Sequence, residues 1–130
     1  MKTSKIKVLI AEDDDITILL LKMILRNVVS EVVIAKNGKE AVEKFKKQRD
    51  IQLVLMDIMM PEMNGFEATR RIRKQDNSVV IIAQTALVST LDKEMAMCVG
   101  CNEYINKPIN KTALIELIQN YFDLSHILRN

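Results

Sequence analysis

Apolar and polar residues in this chain fall into alternating blocks. Residues 7–11 (KVLIA) form a short continuous apolar run that stops at Glu12-Asp13-Asp14-Asp15, the pattern of a strand buried on both faces that ends at a polar site. A helix is expected over 15–28. The alternation then repeats, with strands at 31–35, 51–56, 79–83 and 103–105 and helices at 38–47, 64–74, 89–99 and 111–124. Five such units with short connections predict an α/β fold, a doubly wound parallel sheet with helices on both faces. Asn37-Gly38, Asn64-Gly65 and Gly100 supply turn and cap chemistry between elements; Asn110 suits the start of the last helix, and Asp13 or Asp14 could cap the first.

Right-handed crossovers place the carboxyl ends of parallel strands along one edge, where ligands bind at the switch in strand order. The residues expected there are Glu12 and Asp13 after the first strand, Asp57 after the third, Thr85 after the fourth and Lys107 after the fifth. Three close carboxylates repel one another and raise each other's pKa, so a hard cation with oxygen ligands is their natural partner, and magnesium suits them best. A strand-end carboxylate beside such a metal is a competent nucleophile towards phosphorus. Lys107 can pair with the incoming phosphoryl group as a point charge, and the Thr85 hydroxyl can hydrogen-bond another of its oxygens.

Composition narrows the setting. A chain of 130 residues, 48% hydrophobic and 28% charged, is expected to form one domain over residues 1–130. No apolar run approaches the roughly 18 residues needed to span a bilayer, and the polar, basic start has no signal-peptide core behind it, so the expected location is cytoplasmic. A formal net charge of +2 is too small to suggest nucleic-acid binding. The basic clusters Lys44, Lys46, Lys47, Arg49 and Arg70, Arg71, Arg73, Lys74 read as solvated helix ends. Cys98 and Cys101 form a C-x-x-C that closes a helix at Gly100 instead of opening one, and His126 stands alone, so neither a redox pair nor a zinc site is expected. Two small buried thiols and an exposed tail histidine are.

The motifs VLIAEDD, LVLMDIMMPEMNGFEATRRIR, IIAQTA and GCNEYINKPI, in this order, resemble the receiver domain of two-component response regulators from end to end. The wording of the third and fifth strands is most similar to receivers of hybrid sensor kinases and phosphorelays. The resemblance implies a flavodoxin-like (βα)5 fold with strand order 2-1-3-4-5. It implies Asp57 as phosphoacceptor, Asp13 as direct metal ligand, Glu12 acting through metal-bound water, and the Met59 main-chain carbonyl as a further ligand. The ion would be Mg2+, with Mn2+ as a substitute. Thr85 and Lys107 would bind the phosphoryl group, Tyr104 would turn inward as Thr85 moves, and a cis Lys107-Pro108 bond would aim the lysine. Such a chain would take its phosphoryl group from a phosphohistidine on a histidine kinase or histidine-phosphotransfer domain. The resemblance implies no enzyme in the usual sense, but a domain that would catalyse its own aspartyl phosphorylation and dephosphorylation.

Some features are particular to this sequence. Met59 and Leu87 are apolar where an attacking water would need orienting, which predicts slow self-dephosphorylation, and the small Ala86 leaves access for a bulky donor. The first helix carries two apolar stripes, Ile16, Leu20, Met23, Ile24 and Ile18, Leu21, Leu25. One faces the sheet; the other packs on the last helix or receives the partner kinase or phosphotransfer domain, to be tested by a charge at Ile18. An aspartyl-phosphate phosphatase would need an acid at Met59, and no P-loop motif is present. The alternative function is a degenerate receiver acting as a phosphorylation-independent interaction module. With no residues left after the last helix for an output domain, neither nucleic-acid nor membrane contact is expected of this chain, and its oligomeric state is open.

Overall fold

The computed structural model describes residues 5–86 and 89–124. The elements alternate as expected: β1 (Ile6–Ala11), α1 (Asp15–Leu25), β2 (Val29–Ala35), α2 (Gly38–Lys47), β3 (Leu53–Asp57), α3 (Gly65–Gln75), β4 (Val80–Thr85), α4 (Thr90–Val99), β5 (Glu103–Asn106) and α5 (Lys111–Gln119). All strand pairs are parallel, in the order β2-β1-β3-β4-β5. β3 and β4 are buried at every position, which is why residues 53–56 and 80–83 read as unbroken apolar runs.

Alternate residues along the strands feed two separate cores. Leu9, Val54, Met56, Ile81 and Ala83 pack with Ala41 and Phe45 of α2, Ala68 and Ile72 of α3, and Ala96 and Val99 of α4. Val8, Ile10, Leu53, Leu55 and Ile82 pack on the opposite face with Ile18, Leu21 and Leu25 of α1 and Leu114 and Ile118 of α5. Each helix begins at a side-chain cap: Asp14, Asn37, Asn64, Ser89 and Asn110 accept the N–H three residues on, satisfying a donor the helix leaves unpaired.

Several boundaries differ from expectation. α1 ends at Leu25, not at 28, because the Val28 carbonyl is taken by the Ile6 N–H at 3.0 Å and the chain must turn into β2. α5 ends at Gln119, short of 124, where Tyr121 turns its hydroxyl onto Glu103 at 2.6 Å. β3, β4 and β5 run further at their carboxyl ends than expected, and β3 and β4 begin later, so Asp57 and Thr85 are the last residues of their strands instead of lying beyond them.

The cysteine expectation is corrected in part. Cys101 is buried, but Cys98 is exposed, because α4 turns that position away from the sheet before Gly100 caps the helix at φ 113°. His126 lies outside the described residues, and among those described no helix is long and apolar enough to cross a membrane.

Candidate functional site

β1 is flanked by β2 and β3, so the connections after β1 and β3 leave in opposite directions and open a crevice at their carboxyl ends. Glu12 sits in that crevice, its N–H bound to the Ala35 carbonyl of β2 at 2.9 Å. Its side chain is fully buried, accepting from the Asp14 N–H at 3.1 Å and from Lys107 Nζ at 2.9 Å. Asp57, 3% exposed, accepts from the Met59 N–H at 3.1 Å and from Lys107 Nζ at 3.2 Å. Asp13 is exposed at the rim, and one carboxylate oxygen from each of Glu12, Asp13 and Asp57 lies within 4.8 Å of the others.

Asp14 and Asp15 are engaged elsewhere. Asp14 caps α1 through the Thr17 N–H at 2.9 Å and the Thr17 hydroxyl at 2.6 Å, while Asp15 pairs with Lys36. This settles which neighbouring acid caps the helix and leaves Asp13 available to a cation.

The electrostatics follow from burial. Desolvation raises the Glu12 pKa, with the Asp57 charge acting in the same direction against the pull of Lys107 and the Asp14 N–H. Desolvation is also the largest influence on Lys107 and would lower its pKa, but the hydrogen bonds and charges of Glu12 and Asp57 together outweigh it and raise it. A buried acid resisting ionisation beside a second carboxylate and an exposed third is a donor set that favours a hard divalent cation.

The surrounding backbone holds these groups in place. The Lys107 N–H binds the Thr85 carbonyl at 2.8 Å, and the Lys107-Pro108 bond is cis, as the resemblance implied. Thr85 is buried. It shares a face with Ala83, the register partner of Tyr104, and Tyr104 is half-buried under Lys93, whose Nζ lies 5.1 Å from the ring centroid. Met59 is 62% exposed at the mouth of the site, while Leu87, its expected counterpart, lies outside the described residues.

Two glycines carry more than turn chemistry. A Cβ on Gly65 would lie 2.3 Å from the Asp57 carbonyl oxygen, and one on Gly38 2.1 Å from that of Met63. The start of α3 therefore packs directly on the Asp57 backbone, and α2 closes the loop that follows it. The Asn-Gly pairs flagged these positions, but only the tertiary contact shows why glycine is required.

The family model for the response regulator receiver domain matches residues 8–119. The chain belongs to this family. Response regulator SSK1 of Arthrobotrys oligospora is 34% identical over 84% of the chain, which spans only 13% of the length of that relative. Among solved structures, the Saccharomyces cerevisiae Ssk1 receiver in co-crystals with the histidine phosphotransfer protein Ypd1 is 34% identical at a TM-score of 0.83, covering 98% of this chain and 96% of that one. The receiver of sensor histidine kinase PA1611 from Pseudomonas aeruginosa, with a magnesium ion in its active-site cleft, is 31% identical at a TM-score of 0.80 over 91% of this chain and 98% of that one. Receiver domains are components of two-component signalling, and the fold and strand order found here are those of the family.

Proposed function

We propose that this receiver is a phosphoacceptor switch in which Asp57 takes a phosphoryl group from a phosphohistidine. The observation that carries the reading is the buried Asp57 carboxylate facing Glu12 and Asp13 with Lys107 bridging two of the three. An Asp57 oxygen forms a bond to phosphorus as the P–N bond breaks, and the imidazole leaves with the electron pair and is protonated. Lys107 moves its charge from the carboxylates to the phosphoryl oxygens, and the Thr85 hydroxyl hydrogen-bonds a further one. Tyr104, on the face of the sheet that Thr85 occupies, then turns inward and transmits the change.

The oxygen donors present fit Mg2+, with Asp13, Asp57 and the Met59 carbonyl as ligands and Glu12 acting through water; Mn2+ would accept the same set. The ion, when bound, neutralises charge developing on the phosphoryl oxygens. Incubation with magnesium and acetyl phosphate, read by intact mass, should add one phosphate to wild type and none to Asp57→Ala. Absence of an adduct on both would favour the interaction module that works without phosphorylation. Exposed Met59 at the mouth supports a long-lived acyl phosphate, which a Met59→Asn, Leu87→Glu double variant should shorten.

The phosphodonor, a histidine kinase or histidine-phosphotransfer domain, docks on α1 in this reading. Ile18, Leu21, Ile24 and Leu25 are buried, whereas Ile16, Leu19, Leu20 and Met23 are exposed. This corrects the expectation for Ile24, and it makes a charge at Ile18 a test of the core instead of docking. Leu20 also lines a cavity of about 420 Å³ with Thr17, Ala86, Lys107, Pro108 and Ile109, so the apolar face is continuous with the lysine of the site.

A further inference from the structure

Gln84 is fully buried in β4, and neither its Oε1 nor its Nε2 has a hydrogen-bond partner among the described residues. Its main-chain carbonyl, by contrast, accepts the Ile58 N–H at 3.1 Å. A buried carboxamide that pairs with nothing is costly, because folding strips it of water without replacing the lost hydrogen bonds. Such a group in a folded chain calls for an explanation beyond packing.

The sheet register places it beside the site. Gln84 is the register partner of Asp57 on one side and of Ile105 on the other, and in-register residues of a sheet point to the same face. Ile82, two residues before, belongs to the core under α1 and α5, and Ala86, two residues after, lines the cavity with Thr17, Leu20 and Lys107. Gln84 thus projects towards α1 and α5, between the strand ends that carry Asp57 and Lys107. The Lys107 ammonium has three hydrogens, and its hydrogen bonds to Glu12 and Asp57 use two of them.

We propose that Gln84 is a positioning residue for Lys107: with a phosphoryl group on Asp57, the Gln84 carboxamide oxygen accepts the third ammonium hydrogen and holds the lysine over the phosphoryl oxygens. The inference rests on Asp57 being the phosphoacceptor. The unphosphorylated state leaves the amide unpaired and the phosphorylated state pairs it, so the two states differ by a real interaction, which any ligand-driven shift requires. Gln84 touches no reacting atom and acts through Lys107.

The test uses the full chain with magnesium and beryllofluoride, an unreactive mimic of the aspartyl phosphoryl group, read by unfolding midpoint and by titrated apparent affinity. Wild type, Gln84→Met, Lys107→Ala and the double variant form a cycle. Gln84→Met keeps the side-chain length and removes both polar atoms. It should raise the unfolding midpoint without beryllofluoride and weaken beryllofluoride binding about tenfold, the loss expected for one hydrogen bond to a charged group. In the Lys107→Ala background the same change should alter affinity by no more than about twofold. Equal affinities for wild type and Gln84→Met, as an internal water satisfying the amide in both states would give, overturn the proposal. A full tenfold loss in the Lys107→Ala background overturns it as well. Should Gln84→Met fail to fold, Gln84→Leu is judged by the same criteria. A wild type that gives no response at all refutes Asp57 as acceptor, and this inference with it; a responding wild type isolates the fate of Gln84.

Discussion

Gly65 shows how a residue without a side chain can belong to the site. Its missing Cβ would meet the Asp57 carbonyl at 2.3 Å, and its N–H binds the Ile58 carbonyl at 3.0 Å. Gly65→Ala should therefore lower stability by about 1–3 kcal/mol through overpacking against backbone that cannot rotate away. It should also slow phosphorylation by acetyl phosphate, because the displaced atoms are those of Asp57; urea unfolding and intact mass read the two effects. The cysteines provide a second residue-scale contrast. Burial pushes the Cys101 thiol up to about 11, against a weaker pull from Thr69 and Arg73, whereas Cys98 is exposed. Iodoacetamide at pH 8 should label Cys98 in the folded protein and reach Cys101 only after denaturation, as peptide mass mapping would show.

At the scale of elements, the turn from α3 into β4 carries a pH-dependent clasp. Asp76 accepts from the Ser78 N–H at 2.7 Å, the Ser78 hydroxyl at 2.8 Å and the Val79 N–H at 3.1 Å. These hydrogen bonds, the Ser78 N–H foremost, hold its pKa below the usual carboxylate value. The stabilisation is therefore complete above the unfolded value of about 3.9 and is lost as pH falls through the lower folded value. Asp76→Asn should lower the urea midpoint at pH 7, and the gap from wild type should close on acidification through that window. α1 offers a comparison of its two faces. Ile18→Glu buries an unpaired charge and should cost about 3 kcal/mol or more. Leu20→Glu and Met23→Glu, on the exposed face, should leave the urea midpoint and acetyl phosphate labelling nearly unchanged while slowing transfer from a phosphohistidine donor.

For the molecule as a whole, Lys107, the residue after β5, connects three strand ends that are distant in sequence: its own, that of β1 through Glu12 and that of β3 through Asp57. Removing it leaves two buried carboxylates without their shared counter-charge. Lys107→Ala should lower stability by about 1–2 kcal/mol in chelator, below the cost of breaking a fully buried pair because the lysine is partly exposed. Magnesium should stabilise this variant more than wild type, since a divalent cation then takes over the missing charge; urea midpoints with and without magnesium test this. In the proposed switch the same arrangement would tie the sheet to signalling, since drawing Lys107 towards a phosphoryl group would loosen its hold on Glu12.

The sequence by itself determined the alternation of strands and helices and the residue types at the strand ends. Both are local signals: a strand buried on two faces must be apolar throughout, and a helix start needs a side-chain acceptor, as Asn37, Asn64 and Asn110 supply. Tertiary structure decided what depends on residues far apart. It assigned Asp14 to the cap and left Asp13 facing the site, turned Ile18 inward and Leu20 outward, exposed Cys98 while burying Cys101, and ended α1 where the Val28 carbonyl meets β1. Periodicity alone could not choose between two apolar stripes on α1, because the choice depends on which side of the sheet the crossover lands. Nor could it show that Gln84, inside an otherwise apolar run, is buried with its amide unpaired beside Asp57 and Lys107, since that follows from register between strands.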